Sequence, residues 1–306
     1  MACKNAKDYR LVDDEISLKD AMAEIKQKME RKSLLAVDCE GVSLSRKGEL
    51  TIITVATEEK VYIFDVIKLG QAVFSSGLGE ILEDKSRKKL MFDCRQDSDA
   101  LWHQFNVKLT GVLDLQLLDI IHRRETTATR RFSKKYKRRS QRTDEVENIN
   151  GFRRCIENHV HDEDFIKMKD RGSRLLKRDE EVWKKRPLPE DLIQYCIVDT
   201  MAMFKLYDKM KDINGGEEAR LRVASERYAD YYRSRTTRSY DDYERNAYLP
   251  LDIIPDKGTL DFAPATTACT LCHRLFPQEE FSETQLRDGE QKCRVCMEIK
   301  RRKVWM

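Results

Sequence analysis

Two carboxylates stand one residue apart at the end of an apolar run, Leu34-Leu35-Ala36-Val37-Asp38-Cys39-Glu40. Such a run predicts a buried strand, and because side chains alternate faces along a strand, Asp38 and Glu40 project from the same side. Carboxylates held this close repel unless cations hold them. Hard divalent ions, Mg²⁺ or Mn²⁺, take oxygen ligands, and a pair of them can clamp an in-line displacement at phosphorus. A solvated strand end has the same signature, so this chemistry requires further acids in the right places.

Further acids exist. Asp97 falls in the first turn of a helix whose apolar positions include Ala100, Leu101 and Phe105, although an acid there also serves simply to offset the helix dipole. Tyr195 and Asp199 are four residues apart in the helical pattern Glu190 to Tyr207 and therefore share a face, where an ordinary hydrogen-bonded pair is the alternative.

These residues need a scaffold. An amphipathic helix over 16–31, with Ile16, Leu18, Ala21, Met22, Ile25 and Met29 near helical spacing, leads into the first strand. Strands over 50–56 and 61–66 flank a charged turn and extend it as an antiparallel meander. A helix over 71–83, a strand at Lys89–Phe92, a strand at Val112–Leu115 and a helix at 116–121 follow. The next 20 residues, 123–142, hold ten Lys/Arg and one acid, which reads as a mobile surface loop or arm. It is either a solvated linker or a phosphate contact carried by Lys134, Lys135, Lys137, Arg138 and Arg139, with Phe132 and Tyr136 available to stack on bases. The pattern is helical again over 148–177. It breaks at Trp183-Lys184-Lys185-Arg186-Pro187-Leu188-Pro189, with Pro189 placed to open the helix that carries Tyr195 and Asp199.

Composition bounds the answer. The chain has 306 residues, longer than one typical domain, so a large domain plus a smaller one is expected. With 40% hydrophobic and 37% charged residues, no long apolar run and no apolar core behind Met1, the expectation is a protein without membrane spans, addressed to cytoplasm or nucleus. Nine cysteines is an odd number, and four of them are packed near the C-terminal end, which suggests metal and not a disulfide framework.

Taken together and in this order, Asp38-Cys39-Glu40, Asp97 and Tyr195 through Asp199, with Trp183–Leu188 just upstream, resemble the DEDD superfamily of 3′–5′ exonucleases, in its tyrosine-containing, ribonuclease D-like branch. Within that branch the pattern is similar to the exonuclease 3′–5′ domain-containing proteins related to Egalitarian. The resemblance implies a ribonuclease H-like α/β fold, a mixed sheet flanked by helices. It also implies two Mg²⁺ or Mn²⁺ ions held by Asp38, Glu40, Asp97 and Asp199, a water oriented by Tyr195, and 5′-mononucleotides released from a 3′ end, with RNA favoured over DNA. Asp93 and Asp99 compete with Asp97 for the second position; eight residues back from the Phe105-Asn106-Val107 element selects Asp97, with Asp99 as the fallback. Some relatives have lost metal carboxylates and act as RNA-binding adaptors, so a non-catalytic adaptor is the rival expectation and DNA proofreading a weaker one.

A charged helix, Glu217 through Arg233, and a connector over 248–255 then lead to Cys269-x2-Cys272, twenty residues, Cys293-x2-Cys296. Thiolates at this spacing predict one structural Zn²⁺, with His273 a bystander. The residues Leu275 to Leu286 between them resemble a small zinc domain of an adaptor that couples RNA silencing to chromatin, which implies a module for nucleic acid or a protein partner. The basic end Lys300-Arg301-Arg302-Lys303 is a phosphate contact, a localisation signal or a solvated tail. The expected organisation is an exonuclease domain over 16–212 with its basic insertion, a helical extension and linker over 213–260, and a zinc module over 261–306.

Overall fold

A computed structural model describes residues 8–30, 34–133, 146–237 and 241–303. Its centre is a six-stranded sheet in the order β1-β4-β3-β2-β5-β6, built from β1 (Tyr9–Val12), β2 (Leu35–Val42), β3 (Glu49–Ala56), β4 (Val61–Asp65), β5 (Lys89–Met91) and β6 (Val112–Asp114). The expected meander is present: β2, β3 and β4 are antiparallel neighbours. β5 and β6 add to it in parallel on one side, and β1 adds in parallel to β4 on the other. Sequence reading had no strand before the first helix; β1 is a four-residue edge, too short for its alternation to stand out.

Between β1 and β2 runs α1 (Glu15–Glu30), opened by Asp14, whose Oδ1 accepts from the Ser17 N–H at 2.7 Å. Leu18, Ala21, Met22 and Ile25 are buried as their spacing requires, whereas Ile16 lies in solvent. The single helix expected over 71–83 is instead α2 (Val66–Leu69), a wide turn at Phe74–Leu78 and α3 (Gly79–Glu83). The interruption falls at Gly77, whose φ of 111° only glycine adopts readily.

After β5 comes α4 (Arg95–Phe105), and after β6 comes α5 (Leu115–Ser133). Asp114 joins them: its carboxylate accepts from Gln116 N at 2.9 Å at the start of α5 and from Cys94 N at 3.0 Å before α4. The loop expected from residue 123 onward is corrected here, because residues 123–133 continue α5. Extending an anchored helix costs far less than nucleating one, so a charged stretch can continue a helix that is already anchored. Residues 134–145, which include Lys134, Lys135, Tyr136, Lys137, Arg138 and Arg139, lie outside the described residues.

The helical region over 148–177 is also divided, into α6 (Phe152–Cys155), a wide turn at Ile156–Val160 and α7 (Glu163–Arg178). His161, in the left-handed region at φ 55°, separates them, and Asp162 caps α7 by accepting from the N–H groups of Asp164 and Phe165. A short 3-10 turn, Glu180–Lys184, then leads to α8 (Glu190–Met210), which opens at Pro189 as expected and packs across β2, β3, β4 and β5. α9 (Gly215–Arg233) lies against α4 and β6 and shares the main core. Its Tyr228 is fully buried and donates to Gln116 Oε1 at 2.7 Å, so it is a packing residue and not a stacking platform.

The C-terminal segment contains a two-stranded hairpin, β7 (Thr267–Ala268) and β8 (Leu275–Phe276), then α10 (Glu283–Asp288) and α11 (Arg294–Lys303). Ser282 and Gln285 form a capping box at α10. The core of this segment is small: Phe276, Phe281, Val295 and buried cysteines, with Tyr243 and Tyr248 supplied by the preceding linker. Among the described residues no helix is long and apolar enough to cross a membrane.

Candidate active site

β2 delivers the first two acids. Its residues alternate in burial, and Asp38 and Glu40 take the partly buried positions on one face, as period two demands. Just beyond Glu40 the register with β3 shifts, and Gly41 is required there: a Cβ would stand 1.9 Å from the Glu49 carbonyl oxygen. α8 brings Asp199 onto the same face, so that oxygens of Asp38, Glu40 and Asp199 all lie within 4.8 Å of one another.

Asp97, expected as the fourth acid, is not in this three-carboxylate group but stands beside it. Its Oδ1 accepts from the backbone N–H of Cys39, between the two β2 acids, at 3.0 Å. Its competitors are committed elsewhere: Asp93 pairs with the Arg95 guanidinium, one contact being 2.8 Å, and Asp99 is held by Arg46 through contacts of 2.8 to 3.4 Å. Asp97 instead contacts the β2 backbone between Asp38 and Glu40.

The electrostatics follow from crowding in a dry site. Burial first, then the charge of Glu40, raises the Asp38 carboxyl well above its ordinary value. Burial, then Asp199, pushes Glu40 up to about 8, and burial pushes Asp97 up to about 7. Asp38 Oδ2 is buried without a hydrogen-bond partner among the described residues. A buried acceptor without a donor among the described residues, on a carboxylate clustered with two others, fits a divalent cation.

Tyr195 stands one turn before Asp199, its ring in an edge-to-face arrangement with the buried Trp183 at 6.2 Å between centroids. Burial raises its phenol far above the usual value, so the hydroxyl keeps its proton. The residue that sequence reading missed is Lys169 on α7. Its ammonium donates to both Asp199 oxygens, at 2.7 and 2.8 Å, and to the Tyr195 hydroxyl at 3.1 Å, lying 4.3 Å from the Tyr195 ring centroid and 4.8 Å from that of Phe152. Phe165, Lys169 and Gly172 form the buried face of α7. Gly172 permits the approach: a Cβ there would meet the Tyr195 ring at 2.4 Å.

A second cluster lies in the C-terminal segment. The sulfurs of Cys269, Cys272, Cys293 and Cys296 lie within 4.8 Å of one another, and Cys269 Sγ accepts from the N–H groups of Leu271 at 3.5 Å and Cys293 at 3.4 Å. Four convergent sulfurs, one supported by backbone donors, fit a tetrahedral Zn²⁺. His273 is exposed and outside the cluster.

With this geometry in view, comparison with known proteins points one way. Residues 9–130 match the family model described as 3′-5′ exonuclease. The mouse protein named piRNA biogenesis protein EXD1 is 42% identical over 93 residues, which is 30% of this chain and 16% of the mouse protein. Its silkworm (Bombyx mori) namesake is 39% identical over 93 residues, 30% of that protein. The chain thus aligns with less than a third of either relative's length. The crystal structure of Trypanosoma brucei RNase D superimposes with a TM-score of 0.61, covering 96% of this chain and 93% of that one at 22% identity; the same protein in complex with RNA U12 gives 0.60. The fold is RNase D-like.

Proposed function

We propose that this chain is a metal-dependent 3′–5′ exonuclease acting on RNA in preference to DNA and releasing 5′-mononucleotides. The observation that carries the reading is the convergence of Asp38, Glu40 and Asp199 around a buried, unpartnered Asp38 oxygen. In this reading Asp38, Glu40, Asp97 and Asp199 hold two Mg²⁺ or Mn²⁺ ions, which supply charge neutralisation and a nucleophile at the scissile phosphate. Tyr195 keeps its proton and turns its hydroxyl toward the attacking water. Asp97 keeps the Cys39 peptide, and with it Asp38 and Glu40, in register. The preference for RNA draws on the names of the relatives and on the RNA-bound form of the trypanosome enzyme.

Lys134, Lys135, Lys137, Arg138 and Arg139 are assigned to the phosphate backbone. Their neutralisation is expected to reduce the slope of log K against log salt by up to about 0.7 per lost contact on a single strand. The chain divides in this reading into the exonuclease unit over 16–212, extended at its start by β1, a helical extension over 213–260 and a structural zinc module over 261–306 that meets a partner or nucleic acid.

A non-catalytic RNA-binding adaptor is the second reading, and one observation favours it: Lys169 already neutralises Asp199 without a metal. A 5′-labelled single-stranded RNA incubated with the protein in Mg²⁺, Mn²⁺ or EDTA separates the two. A one-nucleotide ladder in metal alone supports the enzyme, and bound but intact RNA in every condition supports the adaptor. Competition between matched RNA and DNA strands ranks the substrates.

A further inference from the structure

Charge around the three clustered carboxylates is distributed unevenly. On one side Asp38 Oδ2 has no donor among the described residues, and on the other both oxygens of Asp199 are occupied by one ammonium, that of Lys169. That ammonium is held in place from several directions. The Phe152 and Tyr195 rings face it and the Tyr195 hydroxyl accepts from it. Gly172, one turn further along α7, lets the helix sit against the Tyr195 ring. Lys169 is itself buried, and a lysine is rarely buried without such partners.

We propose that Lys169 is a built-in cation that competes with a divalent ion for Asp199, so that the protein loads metal in two unequal steps. A first ion meets the side of the cluster formed by Asp38 and Glu40, where an acceptor stands open. A second ion that needs Asp199 must first displace Lys169, because both of that carboxylate's oxygens already accept from the ammonium and like charges repel across so short a distance. The tether makes the competition effective: Lys169 is present at the site at a high effective concentration whatever the metal concentration outside. The inference rests on the exonuclease reading of this site and adds to it that the second metal position is gated by the chain itself.

The test is direct binding, independent of nuclease activity. Free Mn²⁺ is measured by electron paramagnetic resonance in titrations of the zinc-loaded full chain, as wild type, Lys169→Met and Lys169→Arg, with Asp38→Asn defining the share of binding that belongs to the cluster. Lys169→Met keeps the length of the stem and removes the charge. The expected result is two Mn²⁺ sites in wild type, the second at least about tenfold weaker than in Lys169→Met, and a second site in Lys169→Arg that stays weak. A second site of equal or lower affinity in Lys169→Met overturns the proposal and leaves the exonuclease reading standing. Absence of any binding sensitive to Asp38→Asn, in wild type and Lys169→Met alike, overturns both.

A second measurement uses wild type alone, so the proposal does not depend on the folding of a variant. Acylation of lysines read by mass spectrometry should find Lys169 protected in EDTA and labelled at saturating Mn²⁺. Protection unchanged by Mn²⁺ contradicts displacement.

Discussion

Asp97 Oδ1 accepts a 3.0 Å hydrogen bond from the N–H of Cys39, the residue that separates Asp38 from Glu40. This contact links the start of α4 to the centre of β2 and distinguishes Asp97 from the two acids beside it. Asp97→Asn keeps an acceptor for the Cys39 N–H but loses the charge, so the variant should fold and lose about 10²–10³-fold in nuclease rate. Asp93→Asn should stay within about tenfold of wild type. Asp99→Asn should instead lower stability by about 3 kcal/mol, because it leaves the Arg46 guanidinium without its anion. Rates and urea midpoints measured on the three variants check the assignment, and a normal rate for Asp97→Asn would remove it from the site.

Gly172 sets the distance between α7 and the Tyr195 ring. In Gly172→Ala the new methyl group cannot fit 2.4 Å from that ring, so one of the helices must shift. Overpacking of this kind costs about 1–3 kcal/mol. The variant should show a lower melting temperature together with a fall in kcat as Tyr195 moves relative to Asp199. Gly151→Ala, where a Cβ meets nothing within 4 Å, serves as the control and should change neither.

Asp119 anchors α5 to the segment that precedes α7. It accepts from Arg123 Nε and Asn150 Nδ2 at 2.9 Å each, and from His159 Nε2 at 2.8 Å with that nitrogen carrying the proton. Burial pushes its carboxyl up, but His159, Arg123 and Asn150 outweigh burial and leave it below the ordinary value of 3.8. A depressed carboxylate contributes stability that is complete above the unfolded value and is lost as pH falls through the folded one. Asp119→Asn should therefore cost about 2–3 kcal/mol at pH 7, with the gap to wild type closing below roughly pH 4. Urea denaturation of both proteins across that range measures it, and a gap that does not depend on pH contradicts the charge argument.

The C-terminal segment has too little apolar core to fold unaided. Removal of zinc by a chelator, or Cys269→Ser, is expected to abolish hydrogen-exchange protection across residues 267–303 while β2, β3 and β4 remain protected. Protection that persists in the chelated protein would mean that the four sulfurs are not a structural metal site.

The site was legible in the sequence wherever one element's own period places two groups together. Asp38 and Glu40 follow from the two-residue repeat of β2, Tyr195 and Asp199 from the turn of α8, and the four cysteines from their spacing. Lys169 was not legible. It stands among Lys167 and Arg171, and only the register of α7, set by the break at His161 and the Asp162 cap, decides which of these basic residues turns inward. A signal was present in Phe165, Lys169 and Gly172, which recur at helical spacing with a glycine where a helix would not choose one. The continuation of α5 through residue 133 was missed for a different reason: charge composition reports what a segment can bury and says little about whether an anchored helix will propagate through it.

The acids on β2 and α8 are proposed to form a catalytic metal site. Wild type and Asp38→Ala are incubated with a 5′-labelled single-stranded RNA in Mg²⁺, in Mn²⁺ and in EDTA, after circular dichroism has established that both are folded. Wild type should give a ladder of products one nucleotide apart in either metal, and RNA should stay intact in EDTA and with Asp38→Ala throughout. A ladder that survives Asp38→Ala, or RNA that stays bound and uncut by wild type in both metals, would contradict that assignment.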